Sequence, residues 1–246
     1  MNKKLMQLIK DNLNKVEGKL IIVNADDSSE ATIYLYDIID DYWGISAQDF
    51  CKELLALRGK TVHLRINSPG GDVFAAEAMA TAIREHGDVH GHIDGYAASA
   101  ATRVASACKD VEIAPSGFYM IHNAWTFAYG NKEELRQTAE LLQKVDESII
   151  ADYARKTGND TTQIVDWMNA ETWFSAQEAL DNGFVNAIAK TEADNTAAQA
   201  KNWNLAAFNN APKPAEPHPE NMEKLLQQSN AQRQFNANRL RMFELT

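Results

Sequence analysis

Long apolar runs are missing from this chain: none approaches the roughly 20 residues a membrane-spanning helix needs. Basic charge is scarce as well. Lys and Arg number 24 against 34 Asp and Glu, a formal charge of −10, so the basic face of a nucleic-acid binder is not to be expected. There are only two cysteines, Cys51 and Cys108, in separate apolar segments and without metal-ligand spacing. That argues against a secreted disulfide framework and for two buried thiols in a reducing compartment. The opening MNKKLMQLIKDNLNK has no uninterrupted apolar core and no small-residue cleavage site, so it does not read as a secretory signal. A GxxxxGK[ST] loop is absent, so ATP hydrolysis by that route is excluded. The expectation is a soluble cytoplasmic protein with no cofactor, metal, nucleic-acid or membrane partner.

Proline is rare and unevenly placed: four of six fall in 212–219. This composition break divides the chain into an arm at 1–17, a main domain at 18–190, a Pro/Ala/Asn-rich linker at 191–220 and a helical tail at 221–246. Leu5, Ile9, Leu13 and Val16 give the arm an amphipathic helical spacing. Within the domain, 19–24 and 31–38 read as strands, and Ser46 with Asp49 as a cap opening a helix to about 57. A strand at 61–66, the turn NSPGGD and a helix over 74–85 follow. Next come a strand at 89–93, a turn at Asp94-Gly95, a helix over 98–108 and strands at 110–114 and 118–121. The longest helical signal spans 133–156, after a period-2 alternation at 125–129. A helix at 161–168, an extended segment at 171–174, a capped helix from Ser175 and a strand at 184–188 complete the domain. Strands alternating with helices predict an α/β fold on a mainly parallel sheet.

The chemistry-bearing stretch runs from 94 to 123. Ser99 stands among Ala97, Ala98, Ala100 and Ala101, and His122 closes the apolar run FYMI. A nucleophilic serine needs a base to take its proton and donors for the oxyanion that forms. Asn67-Ser68-Pro69-Gly70-Gly71-Asp72 is a glycine turn whose N–H groups suit that second task. His90 and His92 share a strand face, but no third ligand accompanies them. His63, His86 and His218 read as structural or surface histidines, and the Asp40-Asp41 pair as a solvated loop. Trp125 and Trp173 suit a substrate groove or core packing.

Taken together, NSPGGDV at 67–73, GYAASAAT at 95–102, FYMIHN at 118–123 and ETWFSAQEALDNGFVNAI at 171–188 resemble a ClpP-type serine peptidase. The motifs come in the family's order over roughly 18–190. YDIIDDYWG, IHNAW and ETWFSA look most like phage head maturation (prohead) proteases. The resemblance implies a ClpP/crotonase-like fold of repeated ββα units with a handle helix. It also implies Ser99 as nucleophile, His122 as base, and the N–H groups of Gly71 and Ala100 as oxyanion hole. The family's third member, an aspartate, falls on Glu171, with Asp166 as the other candidate. The implied partners are peptide or protein substrates, a homo-oligomeric ring, and capsid or scaffold precursors in the host cytoplasm or inside an immature head. An ATPase-coupled housekeeping protease, a crotonase-like acyl-CoA enzyme and an assembly scaffold are the competing readings. Self-removal of the tail would follow from the composition break at 190.

Overall fold

A computed structural model of the chain describes residues 7–8, 11–12, 20–24, 29–190 and 203–212. The tail helix expected at 221–246, most of the 191–220 linker and most of the 1–17 arm lie outside the described residues.

The strands are β1 (Ile21–Asn24), β2 (Glu30–Leu35), β3 (Thr61–Ser68), β4 (Val89–Ala98), β5 (Asp110–Ile113), β6 (Phe118–Ile121), β7 (Thr172–Ser175) and β8 (Ala187–Ile188). Between them lie helices α1 (Ala47–Ala56), α2 (Val73–His86), α3 (Ala100–Ala107), α4 (Lys132–Thr157), α5 (Thr161–Asn169) and α6 (Ala176–Asp181). The sheet runs β1-β2-β3-β4-β5-β8, with β6 on the far half of β4 and β7 on β6. Among the described residues only the β1–β2 and β6–β7 pairs are antiparallel. This is an α/β architecture on a mainly parallel sheet, as expected.

Local chemistry starts and stops the helices. Ser46 accepts the Asp49 N–H before α1, and Asp72 accepts the Ala75 N–H before α2. A left-handed Gly87 ends α2. Asn131 and Glu134 form a reciprocal capping box for α4, and Ser175 with Glu178 one for α6. Val62, Leu64 and Ile66 of β3 and Val89 and Ile93 of β4 face the helices, where Phe50, Met79, Ile83 and Val104 complete the core.

Four expectations change. The strand begun at Val89 does not turn at Asp94-Gly95 but continues to Ala98. It leaves β5 after Ile93↔Ile113 and meets β6 from Tyr96↔Phe118. Gly95 permits this bend because a Cβ there would lie 2.5 Å from the Asn67 Oδ1. The alternation at 125–129 forms no strand and runs as irregular chain into α4. The last strand shrinks to two residues; Phe184 and Val185 are buried beside α6 instead. Inside the stretch read as linker, residues 203–211 belong to the same compact unit as the sheet. There Trp203 and Phe208 are buried with Leu8, Ile38, Ala98 and Met120.

Candidate active site

The end of β4 delivers Ser99 to a sharp strand-to-helix corner. Its backbone sits at φ 55°, ψ −127°, a region costly for a residue with a side chain. The corner is held from both sides. The Ser99 N–H donates to the Met120 carbonyl (2.9 Å), and the Ser99 carbonyl accepts the Thr102 N–H (2.9 Å) and Thr102 Oγ1–H (2.5 Å). Because Thr102 Oγ1 has spent its proton there, its bond with Tyr153 is donated by the Tyr153 hydroxyl. Burial pushes the Tyr153 phenol up to about 12, so that donor is retained across the working range.

Although Ser99 occupies the N-cap of α3, its side chain makes no capping bond. Its Oγ lies instead 2.7 Å from His122 Nε2. When Nε2 accepts this hydrogen bond in the neutral imidazole, the ring's own proton is on Nδ1. His122 follows directly from β6, with Trp125 (6.4 Å between ring centres) and the edge-on Phe208 (5.8 Å) beside it. Serine and base therefore reach each other from neighbouring strands, β4 and β6.

The glycine turn packs onto this corner. A Cβ on Gly70 would meet the Ala98 carbonyl at 2.5 Å, the Ala100 nitrogen at 2.8 Å and Ser99 Cβ at 2.9 Å. Gly71 has φ +149° and forms a parallel bridge with Ile39. Ile39 N–H donates to Gly70 O and Asp72 N–H donates to Ile39 O. In that pattern the N–H of Gly71 itself points to the other side. Gly71 and Ser99 line one cleft of about 330 Å³, with Phe74, Trp125, Leu141 and Val145 among its walls. Ala100 is the first residue of α3, so its N–H is one of the orphan donors of a helix start.

The two acid candidates separate clearly. Asp166 is exposed on α5. Glu171 is 6% exposed and precedes β7. The β6–β7 ladder ends at Ile121↔Thr172, so one further step brings His122 and Glu171 to the same end of the ladder. Glu171 is not extended as expected; its φ is +50°. Its Oε1 accepts the backbone N–H of Asn210 at 2.7 Å.

Elsewhere, His63 is less isolated than its surroundings in sequence imply: its Nδ1 lies 3.0 Å from His92 Nε2. His92 Nδ1 faces Glu112 (2.7 Å) and His90 Nδ1 faces Asp110 (2.8 Å). Among the described residues no group of His, Cys, Asp and Glu is arranged to hold a metal ion. Cys108 is buried, which pushes its thiol up to about 12, whereas Cys51 is only half-buried. Sequence reasoning missed Phe208 and Asn210; the aromatic and leucine spacing of Trp203, Leu205 and Phe208 was the available signal.

Comparison with known proteins gives one consistent answer. The Clp protease family model matches residues 17–192. An ATP-dependent Clp protease proteolytic subunit of Ligilactobacillus salivarius is 31% identical over 189 residues, covering 76% of this chain and 87% of that protein. One from Streptococcus agalactiae is 31% identical over 134 residues, covering 52% and 68%. Among solved structures, a ClpP1 mutant from Listeria monocytogenes matches with a TM-score of 0.57 at 27% identity, over 69% of this chain and 94% of that one.

Proposed function

The chain belongs to the Clp protease family, and we propose that it is a serine endopeptidase in which Ser99 attacks the scissile carbonyl while His122 takes its proton. The observation that carries this reading is the 2.7 Å contact between Ser99 Oγ and His122 Nε2 on a corner whose strain leaves the serine uncapped. Attack forms a C–O bond and a tetrahedral oxyanion, which the N–H groups of Gly71 and Ala100 receive. Collapse expels the amine, protonated by His122, and leaves an acyl-Ser99 ester. Water then gives a proton to His122 as it attacks the ester, and collapse breaks the C–O bond, releasing the acid product while His122 returns the proton to Ser99 Oγ. Glu171 is the third member, holding the imidazole with its proton on Nδ1 and stabilising the imidazolium. Asp166, exposed on α5, is set aside for this role.

Substrate binds as an extended peptide beside the glycine turn, through main-chain hydrogen bonds, with its side chains in the cleft between α2 and α4. Homo-oligomeric ring assembly is part of the proposal. It is supported by α4, 26 residues long with only Ile149 and Tyr153 buried, and by its exposed Leu135 and Leu141.

For the physiological setting we propose cleavage of scaffold and capsid precursors in an immature phage head, supported by the YDIIDDYWG, IHNAW and ETWFSA segments. The second reading, a proteolytic subunit working with a separate ATPase, is supported by the names of the relatives. A fluorophosphonate probe with intact-mass readout tests the chemistry: one adduct on wild type, none on Ser99→Ala. Failure of the assembled wild type to label would overturn the peptidase reading in favour of a crotonase-like or scaffold role. Digestion of a folded precursor protein without any ATPase separates the two settings.

A further inference from the structure

The family match ends at residue 192, yet the chain returns to the site after it. Asn210 grips the corner before β7 at two points. Its backbone N–H donates to Glu171 Oε1 (2.7 Å), and its side-chain Nδ2 donates to the Ala170 carbonyl (2.7 Å). Two residues earlier, Phe208 sets its ring edge-on to His122 (5.8 Å) and to Trp173 (5.7 Å). The segment is anchored at its other end too. The buried Asn12 side chain donates to the Asn204 carbonyl (3.0 Å) and accepts the Asn204 N–H (2.6 Å), as a neighbouring strand would. Trp203 and Phe208 share an apolar cluster with Ala98 and Met120, the residues beneath the Ser99 corner.

We propose that residues 203–211 are a positioning clamp for the catalytic acid and base, with Asn210 and Phe208 as its working residues. The need for a clamp follows from the acid itself. A glutamate carries one more methylene and one more rotatable bond than an aspartate, so its carboxylate reaches an imidazole only if both are restrained. The backbone of Glu171 is drawn into the left-handed region, at φ +50°, and the Asn210 N–H fixes one carboxylate oxygen. Phe208 closes one side of the imidazole that this carboxylate would orient. Asn210 holds Glu171 and Phe208 packs on the His122 ring, so both are positioning residues that act through Glu171 and His122.

The inference rests on the Ser99–His122–Glu171 reading, and its test keeps the two apart. The full chain is labelled with a fluorophosphonate across a pH series, as wild type, Asn210→Pro, Asn210→Ala, Phe208→Leu and Glu171→Ala. Asn210→Pro removes the N–H that holds the carboxylate. It is expected to slow labelling about 10- to 100-fold, the scale of a small misplacement of a catalytic group. It is also expected to move the acid limb of the rate profile to lower pH, because a loosened carboxylate stabilises the imidazolium less. Asn210→Ala keeps the backbone donor and should fall between wild type and Asn210→Pro. Phe208→Leu keeps an apolar plug and the fold, and should slow labelling with the same direction of shift, so the outcome does not depend on the proline variant folding. In the Glu171→Ala background, Asn210→Pro should add nothing further.

Wild-type rate and pH profile in both folded Asn210→Pro and Phe208→Leu would overturn the clamp and leave the peptidase reading standing. Slowed labelling with an unmoved profile would overturn it too, as the mark of a purely structural contact. A wild type that never labels removes the peptidase reading and the clamp with it.

Discussion

Several imidazoles among the described residues stand at hydrogen-bond distance from a partner, and two of them, His122 and His63, have opposite settings. His122 meets Ser99 at 2.7 Å beside a cleft, next to a strained corner and a glycine turn with an outward N–H. His63 meets His92 at 3.0 Å on the sheet face away from the helices, with Glu30, Asp88, Asp110 and Glu112 around the three histidines. The imidazoles there face carboxylates, a setting that disfavours the negative charge developing in acyl transfer. Proximity of a histidine to a partner is thus common chemistry; a reactive centre also needs a held nucleophile and a place for negative charge.

The largest test of this contrast is substitution of the histidines themselves. His122→Ala should lower kcat/KM on a peptide substrate by about 10⁴-fold or more, whereas His63→Ala and His92→Ala should stay within about twofold because they lie outside the site. Equal losses in the two sets would break the comparison. Next in size is Gly71→Ala. A Cβ there would lie 2.1 Å from the Ile39 carbonyl, at a φ that side chains avoid. The turn must shift and its N–H lose aim, so turnover should fall about 10²–10³-fold, while thermal unfolding reports whether the fold survives.

Truncation comes third and sharpens the question of the tail. A chain ending at Pro212 keeps the contacts of Phe208 and Asn210, and should retain wild-type labelling. A chain ending at Lys190 loses them and should label about 10- to 100-fold more slowly. Self-removal of the tail, if it accompanies activity, is then expected beyond residue 211, a position intact mass reads directly.

The smallest effect is one of pH, and it concerns the scaffold around α2 and α3. Burial works to raise the Glu77 carboxyl, but hydrogen bonds from Arg103 and Arg84 outweigh it and hold the group below its usual value. Bonds from Lys109 and Thr61 hold Asp88 at about 2. Both groups are ionised in the folded state at a pH where the unfolded chain already binds protons. Their stabilisation is therefore full above the usual carboxylate range and is lost as pH falls through the folded values. Urea midpoints should be flat from about pH 7 to 5 and fall below pH 4, and Glu77→Gln should flatten part of that fall. Both carboxylates are well exposed, so the change is small.

Much of the fold was legible because the signals are local. Ser46, Asp72, Asn131 and Ser175 begin helices by bonding residues two or three positions on. Alternating Val62, Leu64 and Ile66 mark a strand with one buried face. Where the reading failed, the decisive partner was distant. Gly95 reads as a turn until Asn67 is seen against it, and the strand passes through. His63 reads as isolated because His92 lies 29 residues away. Phe208 and Asn210 sit in an Ala/Asn-rich stretch whose composition carries no hint of Glu171, 39 residues earlier in the case of Asn210.

From sequence alone came the α/β class, the glycine turn, and Ser99, His122 and Glu171 as candidates. The class, the turn, the serine and the histidine rest on residue types that suit one conformation or one chemistry; Glu171, with Asp166 as its alternative, came from the family resemblance. Tertiary structure alone decided that Ser99 is uncapped and meets His122, that Gly71 faces its N–H away from Ile39, and that Glu171 is buried while Asp166 is exposed. It also brought residues 203–211 back to the site. Such contacts join segments through space, and their geometry is set by how the packed sheet closes, which no local run of residues specifies.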